Sequence, residues 1–131
     1  MSGARAGTPI GRIDRVALPT RNPEALGDFY AEYLGALASP VFSDPETGAR
    51  FRLLDFCGIA LELIHAPADD SPPELYARIG FALGSATAVD QLTARLAAAG
   101  QPVVEQPRRA PDGCYQSAVL DPDGNRIALT V

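Results

Sequence analysis

Few side chains in this chain are capable of chemistry, and their types restrict what it can do. There is no lysine; all eleven basic residues are arginine. A lysine Schiff base and a phosphate-loop lysine are therefore excluded. His65 is the single histidine, so no site within one chain can use two imidazoles. His65 lies three positions after Glu62, which in a regular strand puts the two on opposite faces. Cys57 and Cys114 are far apart without metal-type spacing and read as free thiols in a reducing compartment. Asp121-Pro122-Asp123-Gly124-Asn125 is a turn; it lacks the alternating ligands and terminal Glu of a calcium loop. What remains for chemistry is arginine, carboxylate and hydroxyl.

Composition narrows the partners. The chain has 131 residues, is 47% hydrophobic and carries a net charge of −5. That fits one domain with its own core. The acidic balance, without a basic stripe or basic amphipathic helix, argues against nucleic acid and against a membrane surface. No apolar run reaches the roughly 18 residues of a membrane span. Residues 1–9 read as a polar leader without the apolar stretch of a signal peptide, so a cytoplasmic protein is expected.

The elements that must position these residues can be read in order. Asn22 is a good N-cap, Pro23 suits the first helical position, and Leu26, Phe29, Tyr30, Tyr33 and Leu34 form an amphipathic stripe ended by Gly35. A second helix is expected from Thr87, with stripe Val89, Leu92, Leu96 and a stop at Gly100. Strand patterns run over 13–18, 51–56, 59–65, 77–83, 115–120 and 126–131, with weaker candidates at Val41–Phe42 and Val103–Val104. The order is β-α-β-β-β twice. Module 1 covers about 10–66, a Pro-rich linker 67–74, and module 2 about 75–131, together one domain over 10–131. Asp55/Asp121, Gly58/Gly124 and Glu62/Ala128 each differ by 66 positions, which marks an internal repeat.

Alternation divides each strand into two faces. Val16 and Leu18 oppose Arg15 and Ala17; Leu61 and Leu63 oppose Ala60, Glu62 and Ile64; Ile79 and Phe81 oppose Arg78 and Gly80; Ile127 and Leu129 oppose Arg126 and Ala128. The large apolar faces must bury against the helices. The other faces carry small residues and charges, the lining a concave cavity needs.

Three stretches resemble the vicinal-oxygen-chelate superfamily, which includes glyoxalase I, extradiol dioxygenases and bleomycin- and fosfomycin-resistance proteins. They are Ile13 to Pro19, the Phe29-Tyr30 … Tyr33-Leu34-Gly35 helix, and Asp121 to Ile127. The resemblance implies an α+β fold: two βαβββ modules forming a curved mixed sheet around a concave pocket, helices outside. It also implies four metal-ligand positions, which fall on Arg15, Glu62, Arg78 and Ala128. Only Glu62 is of a ligand type, so no metal and no cofactor are expected. The resemblance then leaves two uses for the replaced site. Arg15 and Arg78, with Arg126 nearby and Tyr115 or Gln116 adding a hydrogen bond, form a pocket for a small, anionic organic ligand. Alternatively Arg15, Glu62 and Arg78 form a closed, salt-bridged triad. The function expected is a metal-independent ligand-binding protein or enzyme. The alternatives are a metal-dependent lyase or dioxygenase with altered ligands, and a non-enzymatic dimeric module. A homodimer is expected by the same resemblance.

Overall fold

In a computed structural model, residues 11–66 and 77–131 are described; the expected leader and linker lie outside them. The elements are β1 (Arg15–Thr20), α1 (Pro23–Leu34), β2 (Leu37–Ala38), β3 (Phe42–Ser43), β4 (Arg50–Phe56), β5 (Ile59–His65), β6 (Arg78–Ala82), α2 (Ala86–Ala98), β7 (Val103–Arg109), β8 (Tyr115–Leu120) and β9 (Arg126–Thr130). This is the expected α+β arrangement of two βαβββ modules, with the two-residue β2 and β3, both paired with β4, standing as one interrupted strand in the first. Each module builds its own sheet, in the order β1-β5-β4-β2 with β3 also on β4, and β6-β9-β8-β7. In both, the first strand pairs parallel with the last: β1 with β5 and β6 with β9. The repeat read from residue offsets is therefore a repeat of topology.

Local signals account for the helices. The Asn22 side chain accepts from Ala25 N at 2.9 Å, and Gly35 closes α1 at φ 73°, where a Cβ would be strained. Helix α2 starts one residue before the expected Thr87, because Ser85 is the cap and accepts from Ala88 N at 3.1 Å. The hairpin from β4 to β5 turns on Cys57 (φ 53°) and Gly58 (φ 96°), a two-residue loop with both central residues left-handed. Strand β7 runs on to Arg109, well past the two residues read from sequence, and bulges twice.

The helix-facing sides of both sheets share one core. Leu18, Leu26, Tyr30, Leu54, Leu63, Val89, Leu96, Val119, Ile127 and Leu129 are all at or near full burial. Each such side chain contributes about 1.5–3 kcal/mol of hydrophobic stabilisation. Phe56 of the first module meets Phe81 of the second with ring centroids 5.0 Å apart, and the Arg95 guanidinium lies 4.8 Å over the Tyr33 ring.

The Asp121–Asn125 turn fastens the modules together. Asp121, 3% exposed, accepts from Tyr30 Oη at 2.7 Å, from Asn125 Nδ2 and from the backbone N–H of Asp123 and Asn125. Thr20 Oγ1 donates to Asp123 at 2.6 Å, and Ala77 N to Asn125 Oδ1 at 2.9 Å. Burial, then the nearby Asp121 charge and hydrogen bond, push the Tyr30 pKa far above the usual phenol range. Tyr30 is thus a permanent donor. Among the described residues, no helix is long and apolar enough to cross a membrane.

Candidate functional site

Because the helix sides of the sheets are buried together, the opposite faces are the ones open to a ligand. On the first module that face carries Arg15 and Ala17 from β1, Glu62 and Ile64 from β5, and Phe51 and Leu53 from β4. The register sets Ala17 beside Glu62, Leu53 on its other side, and Phe51 beside Ile64. Phe42 and Leu37, on the short strands next to β4, extend the surface; Phe42 stacks on Phe51 at 5.5 Å. It is largely apolar around one ion pair, Arg15 Nη1 to Glu62 Oε1 at 3.6 Å.

On the second module the same face is polar over a floor of small residues. Arg78 and Arg126 are direct register partners on parallel strands, as are Gly80 and Ala128. Ala118 pairs with Ala128, and Gln116 with Thr130. A Cβ built on Gly80 would meet nothing within 4 Å, so the floor is open.

The expected site residues are therefore distributed differently from the expectation. Arg15 reaches Glu62, but Arg78 does not, and the salt-bridged triad is not formed. The reason lies in topology: β1 and β6 belong to separate hydrogen-bonded sheets, and Arg78 stands beside Arg126, the neighbour also expected for it. Nor is the Arg15–Glu62 pair deeply buried, since the Arg15 side chain is 48% exposed. Tyr115 and Gln116 divide as alternation requires, with Gln116 on the open face. The Tyr115 hydroxyl turns to the helix side and donates to Asp90 of α2 at 2.6 Å, which raises its pKa above the usual phenol value. His65 shares the face of Leu61 and Leu63, opposite Glu62.

Glu105 is the residue that sequence reasoning missed. It accepts from Arg126 Nη2 at 2.9 Å. Its other oxygen, Oε1, is buried and lies 3.2 Å from Arg108 Nε, close enough for an ion pair but off hydrogen-bond alignment. Two bulges in β7 place it there. Val103 pairs with Val119 on the core side, whereas Glu105 pairs with Ala118 and Arg108 with Gln116 on the open side. Each bulge changes the parity, so simple alternation along Val103–Val104 could not have placed Glu105. The small Ala118 between β7 and β9 lets its carboxylate reach across to Arg126.

The four positions carried over as metal ligands hold Arg15, Glu62, Arg78 and Ala128, one oxygen donor among two cations and a methyl group. A guanidinium has no lone pair to give and repels a divalent ion, so this donor set does not fit one. Among the described residues, no group of three or more His, Cys, Asp or Glu stands close enough to share a metal.

Similar proteins agree with the architecture. Among solved structures, a lactoylglutathione lyase from Agrobacterium tumefaciens superposes with a TM-score of 0.70 at 23% identity, covering 94% of this chain and 95% of that one. The trypanothione-dependent glyoxalase I of Leishmania major gives 0.71 at 21%, covering 92% and 86%. A Burkholderia phytofirmans PsJN family enzyme gives 0.72 at 22%, covering 89% and 95%. At these identities the likeness shows the fold. The mouse mitochondrial methylmalonyl-CoA epimerase is 33% identical over 63 residues, 48% of this chain and 35% of that protein. The chain thus matches about a third of the length of that curated relative. A family model described as Glyoxalase/Bleomycin resistance protein/Dioxygenase superfamily matches residues 12–129. With the paired βαβββ modules and the motifs that build them, the chain belongs to the Glyoxalase/Bleomycin resistance protein/Dioxygenase superfamily.

Proposed function

We propose that this chain is a metal-independent member of its superfamily that binds a small anionic organic molecule on the open face of its modules. One observation carries the reading. Arg78 and Arg126 stand side by side on paired parallel strands, and among the described residues Arg78 has no carboxylate partner. Like charges directly opposite on neighbouring strands repel each other. A bound carboxylate or phosphate relieves that repulsion and can engage a guanidinium bidentately. The open floor at Gly80 and Ala128 leaves room for it, and the replaced ligand positions support chemistry without a metal. The partial match to a protein named methylmalonyl-CoA epimerase supports an organic anion as the ligand class.

The test is a thermal-shift titration with small carboxylates and phosphates, run beside divalent metals and a chelator. A ligand at 100 times its Kd adds about 2.7 kcal/mol of stability. Anions are expected to raise the melting temperature, metals are not, and Arg78→Ala is expected to abolish the shift. Stabilisation by metal that the chelator reverses would overturn the reading in favour of a metal-dependent lyase or dioxygenase.

A second reading, a dimeric module, draws on the apolar face of the first module. Leu37, Phe42 and Ile64 lie there 73%, 42% and 37% exposed. Exposed apolar surface of this kind marks an interaction site or a ligand groove. Light scattering tests this reading, because a dimer doubles the 13.8 kDa chain mass and a monomer would overturn it.

A further inference from the structure

We infer that the open face of the second module is a site for a doubly charged anion, and that Glu105 is its positioning residue. This deepens the anion-binding reading above and rests on it. The charges on that face are unequal. Arg78 and Arg126 are register neighbours; Arg108, on the same side of the sheet but in the register row of Gln116 and Thr130, is brought to Arg126 by the Glu105 carboxylate they share. Glu105 is the carboxylate among them, touching Arg126 at 2.9 Å and Arg108 at 3.2 Å. Among the described residues, three guanidiniums against one carboxylate leave two positive charges on this face, in a chain whose net charge is −5.

A single carboxylate ligand would leave one of those charges uncompensated. A dianion, either a phosphate monoester or a dicarboxylate, balances both. Glu105 does not belong to the ligand's side of the balance, because its Oε2 is already committed to Arg126. Its part is geometric. One carboxylate fixes the side chains of β9 and β7 relative to each other across the small Ala118, which sets two of the three guanidiniums in place before a ligand arrives. Arg78, the third, is exposed and without a described partner, so it is the group left to close on the anion. The small residues Gly80 and Ala128 keep the centre of the face clear.

The experiment compares inorganic phosphate, malonate and acetate by calorimetric titration at matched ionic strength near pH 7.5. The proteins are the wild type, Arg78→Ala, Arg108→Ala and Glu105→Gln, each checked for folding by circular dichroism. Phosphate, malonate or both should bind about tenfold or more tightly than acetate, the scale of one added charge-assisted hydrogen bond. Preference for phosphate identifies a phosphate monoester site, and preference for malonate a dicarboxylate site. Arg78→Ala and Arg108→Ala should each cost a similar factor for the dianion and less for acetate. Glu105→Gln removes the one negative charge, which by charge alone would raise the dianion-over-acetate ratio; a collapse of that ratio while the fold persists is the result expected, because it reports lost positioning of Arg126 and Arg108. Equal binding of all three anions overturns the dianion class but leaves an anion site standing. Absence of binding by any of them at millimolar concentration overturns both. An unchanged or raised ratio in Glu105→Gln overturns the positioning role.

Discussion

The Tyr30 hydroxyl donates to the Asp121 carboxylate at 2.7 Å, across 91 positions of sequence, and so ties the helix of the first module to the final turn of the second. Both groups are buried. Removing the hydroxyl in Tyr30→Phe takes one of the side-chain donors from Asp121 Oδ2 and leaves it the hydrogen bond from Asn125 Nδ2. A hydrogen bond to a charged group contributes about 1.5–3 kcal/mol, so a fall of roughly 5–10 °C in melting temperature is expected. The pH dependence is a second check. The folded phenol is pushed far up, so its stabilisation is complete below the unfolded pKa of about 10 and is lost as pH rises beyond it. The alkaline loss of stability should be weaker in Tyr30→Phe than in the wild type; parallel curves above pH ~10 would count against this assignment.

Asp123 is shifted in the same direction as Tyr30, but as a carboxyl it gives up its contribution at much lower pH. Burial raises its pKa most, and the Asp121 charge adds to this; the Thr20 hydrogen bond and Arg21 oppose them. A carboxyl that holds its proton more tightly when folded favours the fold in acid and gives up that contribution as pH rises through its folded pKa. Asp123→Asn keeps an acceptor for Thr20 but cannot ionise. Relative to wild type, its melting temperature should therefore improve from about pH 3 to pH 6. A difference that stays flat, or shrinks, over that range would refute the shift.

Gly27 lies inside helix α1, where Ala is ordinarily better by about 1 kcal/mol. Here the sign should reverse. A Cβ at Gly27 would come within 2.5 Å of Arg52 Nη1 and 2.9 Å of its Cδ. Arg52 cannot step aside freely, because it donates to Ser39 O at 2.7 Å, Glu24 O at 2.8 Å and Asp28 at 3.1 Å. Overpacking of this kind costs about 1–3 kcal/mol, and Gly27→Ala should lose that much in urea denaturation. In an Arg52→Ala background the same substitution should become neutral or stabilising, which isolates the clash as the cause.

The Arg15–Glu62 pair should matter little to stability. Its separation is 3.6 Å and the arginine is half exposed, so screening leaves it worth under about 1 kcal/mol. Arg15→Ala should therefore unfold within about 1 kcal/mol of wild type. A loss of about 3–5 kcal/mol, the cost of breaking a fully buried pair, would show that the closed triad exists after all.

The sequence by itself determined the modules. Asn22, Pro23 and Gly35 mark a helix wherever they occur at that spacing, because caps and glycine conformations are local. The strand periods of Leu61/Leu63, Ile79/Phe81 and Ile127/Leu129 assign core faces for the same reason, and the 66-residue offsets expose the repeat. These readings need no knowledge of neighbours, and the helices and strand faces agree with them. Which site residues meet was decided only by tertiary structure. Arg78, expected near Arg126 and in one alternative also paired with Glu62, is the register partner of Arg126 and makes no ion pair with Glu62, because hydrogen bonding closes each sheet within its own module. Tyr115 was paired with a helix rather than a ligand by the side of β8 on which it falls. Glu105 came to the open face through two bulges in β7, and a bulge is a property of the paired strand, not of the residues read along one chain. One residue of parity separates a core position from a site position, and only the partner strand records where that residue was gained.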